Sequence, residues 1–308
     1  MIKQIVEISE TPAHLRVRHE QLEITVKGKV IGRIPCEDLG VLIVDNQQAT
    51  FSHYALVRLG AYGTVVVLCD DAHHPSSMVL PLPNHSQVVT RLKLQIDVSA
   101  PTKKRIWKQI VISKISGQAE NLQADSAPRK RLVELARTVR TGDPQNHEAQ
   151  AAKIYWQSWL HDLREQEEFR RSRYGDAPNN LLNYGYAIYR AAIARAIVAA
   201  GLHPSIGVKH IHRSNVFCLA DDLVEPLRPI VDQVVRELYS SGHVELDRYA
   251  KSMILESLTQ AFSVSHGKGP LLVQLNRYLA SFVRCLEDPR AELEIPQQCT
   301  SSDIEICG

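Results

Sequence analysis

The chain has 308 residues, 44% hydrophobic and 23% charged, with 36 Lys and Arg against 34 Asp and Glu and a formal net charge of +2. That length can fill one or two cores, and the composition is that of a globular protein, not a disordered or collagen-like one. Bulk charge excludes an overall basic polyanion binder, so any nucleic-acid face must be local. Such a face exists in the sequence. Residues 101–140 hold ten Lys or Arg against three acids, while 286–308 hold six acids against one Arg.

Cys36, Cys69, Cys218, Cys285, Cys299 and Cys307 include no CxxC pair. They form neither a disulfide framework nor a zinc knuckle, and buried thiols in a reducing compartment are expected. The first ten residues, MIKQIVEISE, lack the apolar core of a signal peptide, and no apolar run reaches the ~18 residues that span a bilayer. The reading is a soluble, cytoplasmic protein with no membrane partner.

Residues 1–83 read as a β-rich module. Residues 4–8 are short and apolar. Residues 22–26 alternate, turn at Lys27-Gly28-Lys29 and resume at 30–34, the pattern of a hairpin. Residues 41–44 and 64–69 are continuous β-branched or apolar runs, as buried strands require. Between them, 52–61 has helical spacing, with Ser52 as N-cap and Gly63 as stop. Residues 78–82 suit an edge strand, since Pro81 cannot serve a sheet centre. Asp70, Asp71, His73 and His74 read as a polar turn in preference to a metal cluster.

From residue 87 to about 285 the period is helical. Pro101 opens a basic helix, with Lys103, Lys104, Arg105 and Lys108 early and Ile106, Trp107, Ile110 and Ile115 inward. Positive charge at a helix start opposes the macrodipole, which points to a ligand as well as to a plain solvated face. Ser126-Ala-Pro128 opens the next helix. Asp143 and Pro144 suit the N-cap and first position of a third, which carries Glu148 among alanines. A carboxylate on such a face needs a partner, and a metal or an Arg would serve. Residues 181–200 are alanine-rich and read as the close-packed centre of a helical bundle, stopped by Gly201.

The stretch from Gly201 to Asp232 concentrates the chemistry: His203, His210 and His212, then Asp221, Asp222 and Glu225, then Arg228. Asp222 and Glu225 are three apart and leave one side of the first helical turns, where acids also suit the macrodipole without any metal. A zinc site on the three histidines is a rival, but a His-x-His on irregular chain sends its rings apart and no HExxH is present. Hard oxygen donors with one imidazole favour Mg²⁺ or Mn²⁺. No P-loop, GxGxxG or GxSxG pattern appears.

Those residues resemble a known family. Gly207-Val-Lys-His210, the run from Leu219 through Asp221, Asp222, Glu225 and Arg228 to Asp232, residues 180–186 (NLLNYGY), and Glu148 followed by AQAA are similar to the CRISPR-associated integrase, the endonuclease subunit of spacer acquisition. The form of 222–229 is closest to the branch found with single-effector, dual-RNA-guided nucleases. The resemblance implies an α+β protein: a small sandwich-like N-terminal β-rich domain at 1–83 that mediates dimerisation, a larger all-α catalytic domain at 84–285, and an acidic tail at 286–308 open to disorder.

Carried over by position, the family's metal triad falls on Glu148, His210 and Glu225, with Asp222 behind it as a supporting or helix-fixing residue. His203 and His212 do not match. Implied partners are double-stranded DNA, both an incoming segment and a repeat array, a small bridging protein, and a second copy of the chain. Implied chemistry is attack of a 3′-hydroxyl on a repeat phosphodiester, without ATP. Lys209, Arg213, Arg173 and Arg190 are the expected DNA contacts near the site. Two other readings compete: a DNA-binding scaffold whose acids are structural, and a zinc hydrolase of small substrates.

Overall fold

The computed structural model describes residues 3–163, 169–172, 175–264 and 267–298. Strands β1 (Gln4–Ile8), β2 (His14–Arg18), β3 (Gln21–Val26), β4 (Lys29–Pro35), β5 (Leu39–Val44) and β6 (Thr50–Phe51) precede helix α1 (His53–Ala61). β7 (Val65–Cys69) and β8 (Pro75–Val79) complete the N-terminal part as two four-stranded sheets, β1-β5-β7-β8 and β4-β3-β2-β6.

β1, β5 and β7 run parallel and β8 closes the edge antiparallel. Parallel strands covered on both faces read as unbroken apolar runs, and every residue of β5 is buried. The edge strand starts at Pro75 and ends at Val79, three residues earlier than the sequence pattern suggests at each end. β3 and β4 meet at Lys27 and Gly28, both at positive φ (47° and 77°), a two-residue turn that glycine eases. The alternation His14-Leu15-Arg16-Val17-Arg18 marks β2, a strand the sequence reading passed over; Leu15 and Val17 point inward. Ser52 caps α1, its Oγ accepting from Ala55 N.

Leu15, Leu22 and Ile24 of one sheet pack with Leu42, Val44 and Val66 of the other and with Ala55 and Leu59 of α1. The opposite face of the first sheet, Val41, Ile43, Val65 and Val67, belongs to the helical core. A buried ion cluster joins the same parts: Lys251 pairs with Asp45 and, at 3.3 Å, with Glu7.

The helices are α2 (Val88–Asp97), α3 (Ala100–Glu120), α4 (Ala127–Thr138), α5 (His147–Ser158), α6 (Asn179–Ala199), α7 (Cys218–Val224), α8 (Arg228–Ser240), α9 (Arg248–Ser257) and α10 (Leu271–Glu287). α6 is buried along almost its whole length, as its small residues suggest. A Cβ on Gly185 would stand 2.4 Å from Val231 Cγ1, so glycine is what lets α6 lie against α8. The helical part departs from an all-α expectation by one small sheet: β9 (Ala261–Val264) between β10 (Gly267–Pro270) and β11 (Gln297–Gln298).

The expected tail begins as the end of α10 and continues as packed chain. Ala291, Leu293 and Ile295 lie on the core, and Leu293 N donates to Gln109 Oε1 at 2.8 Å. Residues 299–308 fall outside the described residues. Among the described residues no helix is long and apolar enough to cross a membrane.

Candidate active site

The loop between α6 and α7 carries His210, and Asp222 shapes it from the middle of α7. Asp222 is fully buried. Its Oδ2 accepts the backbone N–H of Val208 (2.6 Å) and Lys209 (3.0 Å), and its Oδ1 accepts that of His210 (3.1 Å). The same Oδ1 lies 2.6 Å from His210 Nδ1. The loop passes so close that a Cβ on Gly207 would stand 2.4 Å from His210 O and 2.9 Å from Asp222 Oδ2. The Asp222 hydrogen bond raises the His210 imidazole above its ordinary range, against the opposing effect of burial, with help from Glu225 and Glu148. Trp107 meets the His210 ring edge-on at 5.8 Å. With Nδ1 engaged, Nε2 is the nitrogen left to ligate, the usual arrangement of a metal-binding histidine.

Three elements bring the two glutamates together. Glu148 sits in the first turn of α5. Asp143 stands four residues before that helix at positive φ and accepts from His147 N (2.8 Å) and Glu148 N (3.0 Å). It caps α5 from farther back than the sequence suggests, and Pro144 precedes the helix instead of opening it. Glu225 opens the 3₁₀ turn between α7 and α8 and is buried. Between them comes Lys114 of α3, its Nζ 2.7 Å from Glu148 Oε1 and 2.6 Å from Glu225 Oε2.

The expected partner of Glu148 was a metal or an Arg; the structure supplies this lysine. Burial alone would lower the Lys114 ammonium, but Glu225 and Glu148 outweigh it and hold it above its usual value. Burial likewise opposes ionisation of Glu225, and Arg228 and Lys114 overcome it, holding that carboxyl below its usual range. Arg228 pairs with Glu225 Oε1 at 3.0 Å. Its guanidinium lies 4.8 Å from the centre of the Tyr186 ring, and Tyr186 donates its hydroxyl proton to buried Asp232.

Sequence reasoning missed Lys114. The signal was there: it lies seven residues, two helical turns, after Trp107 and next to Ile115, on the face of α3 that also buries Ile110 and Val111.

The remaining candidates separate. His203 and His212 each turn to a serine two residues on, Ser205 Oγ at 2.7 Å and Ser214 Oγ at 2.9 Å, so the three histidines do not converge on a zinc site. Lys209 and Arg213 are exposed beside His210. Arg190 is committed inward, 3.9 Å from Asp221 and over the Phe217 ring. Arg173 lies outside the described residues. Asp70 accepts from the backbone of Ala72 and His74, the polar turn expected there.

The donor chemistry of Glu148, His210 and Glu225 suits a hard divalent ion, and Glu225 Oε2 is a buried oxygen that receives no aligned hydrogen bond. Lys114 stands between the two glutamates, and no three His, Cys, Asp or Glu among the described residues are grouped closely enough, as the side chains lie here, to hold a metal.

The family model for CRISPR associated protein Cas1 matches residues 6–261. The chain belongs to the Cas1 family. The CRISPR-associated endonuclease Cas1 of Neisseria meningitidis serogroup C (strain 8013) is 34% identical over 288 residues, covering 92% of this chain and 92% of the relative. Among solved structures, a casposase bound to integration product superposes with a TM-score of 0.77 at 17% identity over 98% of both chains. A Cas6-RT-Cas1–Cas2 complex superposes with a TM-score of 0.76 at 18% identity, over 97% of this chain and 36% of that one. At such identities these two speak for the fold, which is the α+β Cas1 architecture. The resemblance carried by residues 201–232 thus extends over most of the chain, and the family is one of CRISPR-associated endonucleases.

Proposed function

We propose that this Cas1 joins short duplex DNA to a repeat array by metal-dependent transesterification, with Glu148, His210 and Glu225 holding Mg²⁺ or Mn²⁺. The observation that carries the reading is the convergence of Glu148 and Glu225 from separate elements beside an imidazole oriented by Asp222. A divalent ion bound there supplies charge stabilisation for the attacking and leaving oxygens.

The reaction exchanges one phosphodiester for another. A 3′-hydroxyl oxygen of the incoming DNA bonds to a repeat phosphorus, the phosphorus bond to the repeat's own 3′-oxygen breaks, and the proton lost by the first oxygen is balanced by one gained at the second. No ATP is needed. Asp222 keeps His210 in the tautomer and orientation that ligation requires. Arg228, held by Glu225 and Tyr186, adds a fixed cation behind the carboxylates. Lys209 and Arg213, both exposed, meet backbone phosphates in this reading, which gives affinity and salt dependence without sequence readout.

DNA, a Cas2-like partner and a homodimer complete the proposal; the Cas2-containing complex and the casposase product complex are the neighbours that support the first two. The purified protein with its small partner would be incubated with short duplex DNA and a plasmid carrying a repeat array, in Mg²⁺, Mn²⁺ or EDTA. Joining that needs the metal and disappears in His210→Ala supports the assignment; joining that survives His210→Ala overturns the triad.

The Lys114 bridge favours one second reading, a DNA-binding scaffold whose glutamates are structural. Glu148→Ala separates the two. It abolishes joining and spares DNA binding if the site is catalytic, whereas a scaffold joins nothing even as wild type.

A further inference from the structure

Lys114 poses a physical question. Its ammonium is buried, and its partners within salt-bridge distance are the two glutamates assigned above to a metal. It makes a hydrogen bond to Glu148 but faces Glu225 Oε2 off-line, so the second contact is held by charge and not by direction. A spherical divalent ion competes directly for both oxygens. Lysine suits such an exchange, because its charge is a compact point on four flexible methylenes, unlike the rigid fork of arginine.

We infer that Lys114 is an internal cation that holds Glu148 and Glu225 together until a divalent ion displaces it, and that the freed ammonium then takes a phosphate of the bound DNA. This rests on the metal reading proposed above and adds a consequence that reading does not contain. A buried ammonium stripped of both carboxylates is costly unless another anion arrives. The anion that reaches this pocket with the metal is the phosphodiester. Metal alone therefore has to expel a cation into an unfavourable place, while DNA supplies its new partner. Metal and DNA affinities become mutually reinforcing, and by linkage each raises the other by the same factor.

The geometry of α3 makes Lys114 the group for this role. Asn121, which caps the C-terminus of the same helix, donates to Pro229 O at 2.7 Å, which ties the end of α3 to the start of α8 just past Glu225. Gly117 packs under the Pro229 ring, where a Cβ would stand 3.0 Å from two ring carbons. The helix is therefore fixed against the metal-site segment, and the exchange needs only the side chain to move.

The test measures Mn²⁺ binding to the full-length protein by electron paramagnetic resonance, with and without a short duplex DNA, in wild type, Lys114→Met and Lys114→Gln. Glu148→Gln identifies the binding that belongs to the site. In the wild type, DNA tightens Glu148-dependent Mn²⁺ binding by roughly tenfold, within the ordinary range of site coupling. Both lysine variants bind Mn²⁺ more tightly than wild type without DNA and lose most of the DNA effect. Their metal-free melting temperatures fall, and Mn²⁺ restores them.

If Glu148-dependent binding exists but neither variant binds more tightly or loses the coupling, Lys114 is not the exchanging cation and the metal assignment stands. If Glu148→Gln removes no Mn²⁺ binding from the wild type, the metal assignment itself fails and this proposal falls with it. The glutamine variant, which can still donate a hydrogen bond to one carboxylate, keeps the comparison available should the methionine variant unfold.

Discussion

Asp222 and His210, twelve residues apart in sequence, share a 2.6 Å contact through which a carboxylate on α7 sets the orientation of the imidazole in the preceding loop. The same carboxylate collects three backbone N–H groups of that loop, so the ring and its support move as one unit. Removing such outer support typically costs metal affinity about 10- to 100-fold. Asp222→Asn is expected to weaken Mn²⁺ binding in that range while leaving the secondary structure intact. A titration showing affinity unchanged would mean that His210 is not a ligand.

The pH dependence follows from the same pair. The Asp222 hydrogen bond raises the His210 imidazole above its ordinary range, and a ligand must be neutral. Mn²⁺ binding to wild type should therefore decline as pH falls through a midpoint above the ordinary imidazole range. In Asp222→Asn the midpoint moves to lower pH. The His210–Asp222 pair also contributes stability that is complete below pH 6.5 and is lost as pH rises through the folded pKa. A metal-affinity profile flat from pH 8 to 6 would contradict the assignment.

Gly207 tests the loop itself. Alanine there places a Cβ against a backbone oxygen and a buried carboxylate, neither of which can yield cheaply. Gly207→Ala is expected to cost about 1–3 kcal/mol in urea unfolding, as for other overpacked sites, and to abolish joining because the His210 segment must shift. Wild-type stability with wild-type joining would show that the loop relaxes freely.

Asp232 gives a stability prediction independent of the metal. Burial pushes its carboxyl up to about 7, although Tyr186 and Tyr155 donate to it. Its folded pKa lies above the unfolded value, so its contribution is complete below about pH 4 and is lost as pH rises through about 7. Between pH 5 and 8 the wild-type melting temperature should fall relative to Asp232→Asn. Parallel melting curves for the two proteins over that window would refute the shift.

The N-terminal sheet is tied to the helices by Lys251 with Glu7 and Asp45, three ionisable groups taken out of water together. Lys251→Met leaves two carboxylates behind without their cation. Breaking a buried pair from one side costs about 3–5 kcal/mol. Chemical denaturation should show a loss of that size; a change below about 1 kcal/mol would mean that water already shares the site.

Much of the fold was legible because local physics wrote it. The apolar runs of β5 and β7 state that both faces are covered, and Ser52 and Ser126 cap helices as their positions suggest. Other elements were not. β2 is too short and too basic to stand out until Glu23 of its neighbour is seen between Arg16 and Arg33. The β9–β10 hairpin has glycine and proline where an isolated strand would want β-branched residues, and it forms because α10 lies beneath it.

The family resemblance, the α+β class and the residues worth testing could all be read along the chain, because spacing within one segment is a local property. The sequence placed His210, Asp222 and Glu225 as candidates on one stretch and Glu148 on another. What faces what was decided only by the tertiary structure. Lys114 and Glu148 are 34 residues apart and Glu225 is farther still, and no periodicity links positions on different helices. Their meeting depends on how α3, α5 and the turn before α8 pack, since a buried charge must find its counter-charge in space, wherever the chain has put it.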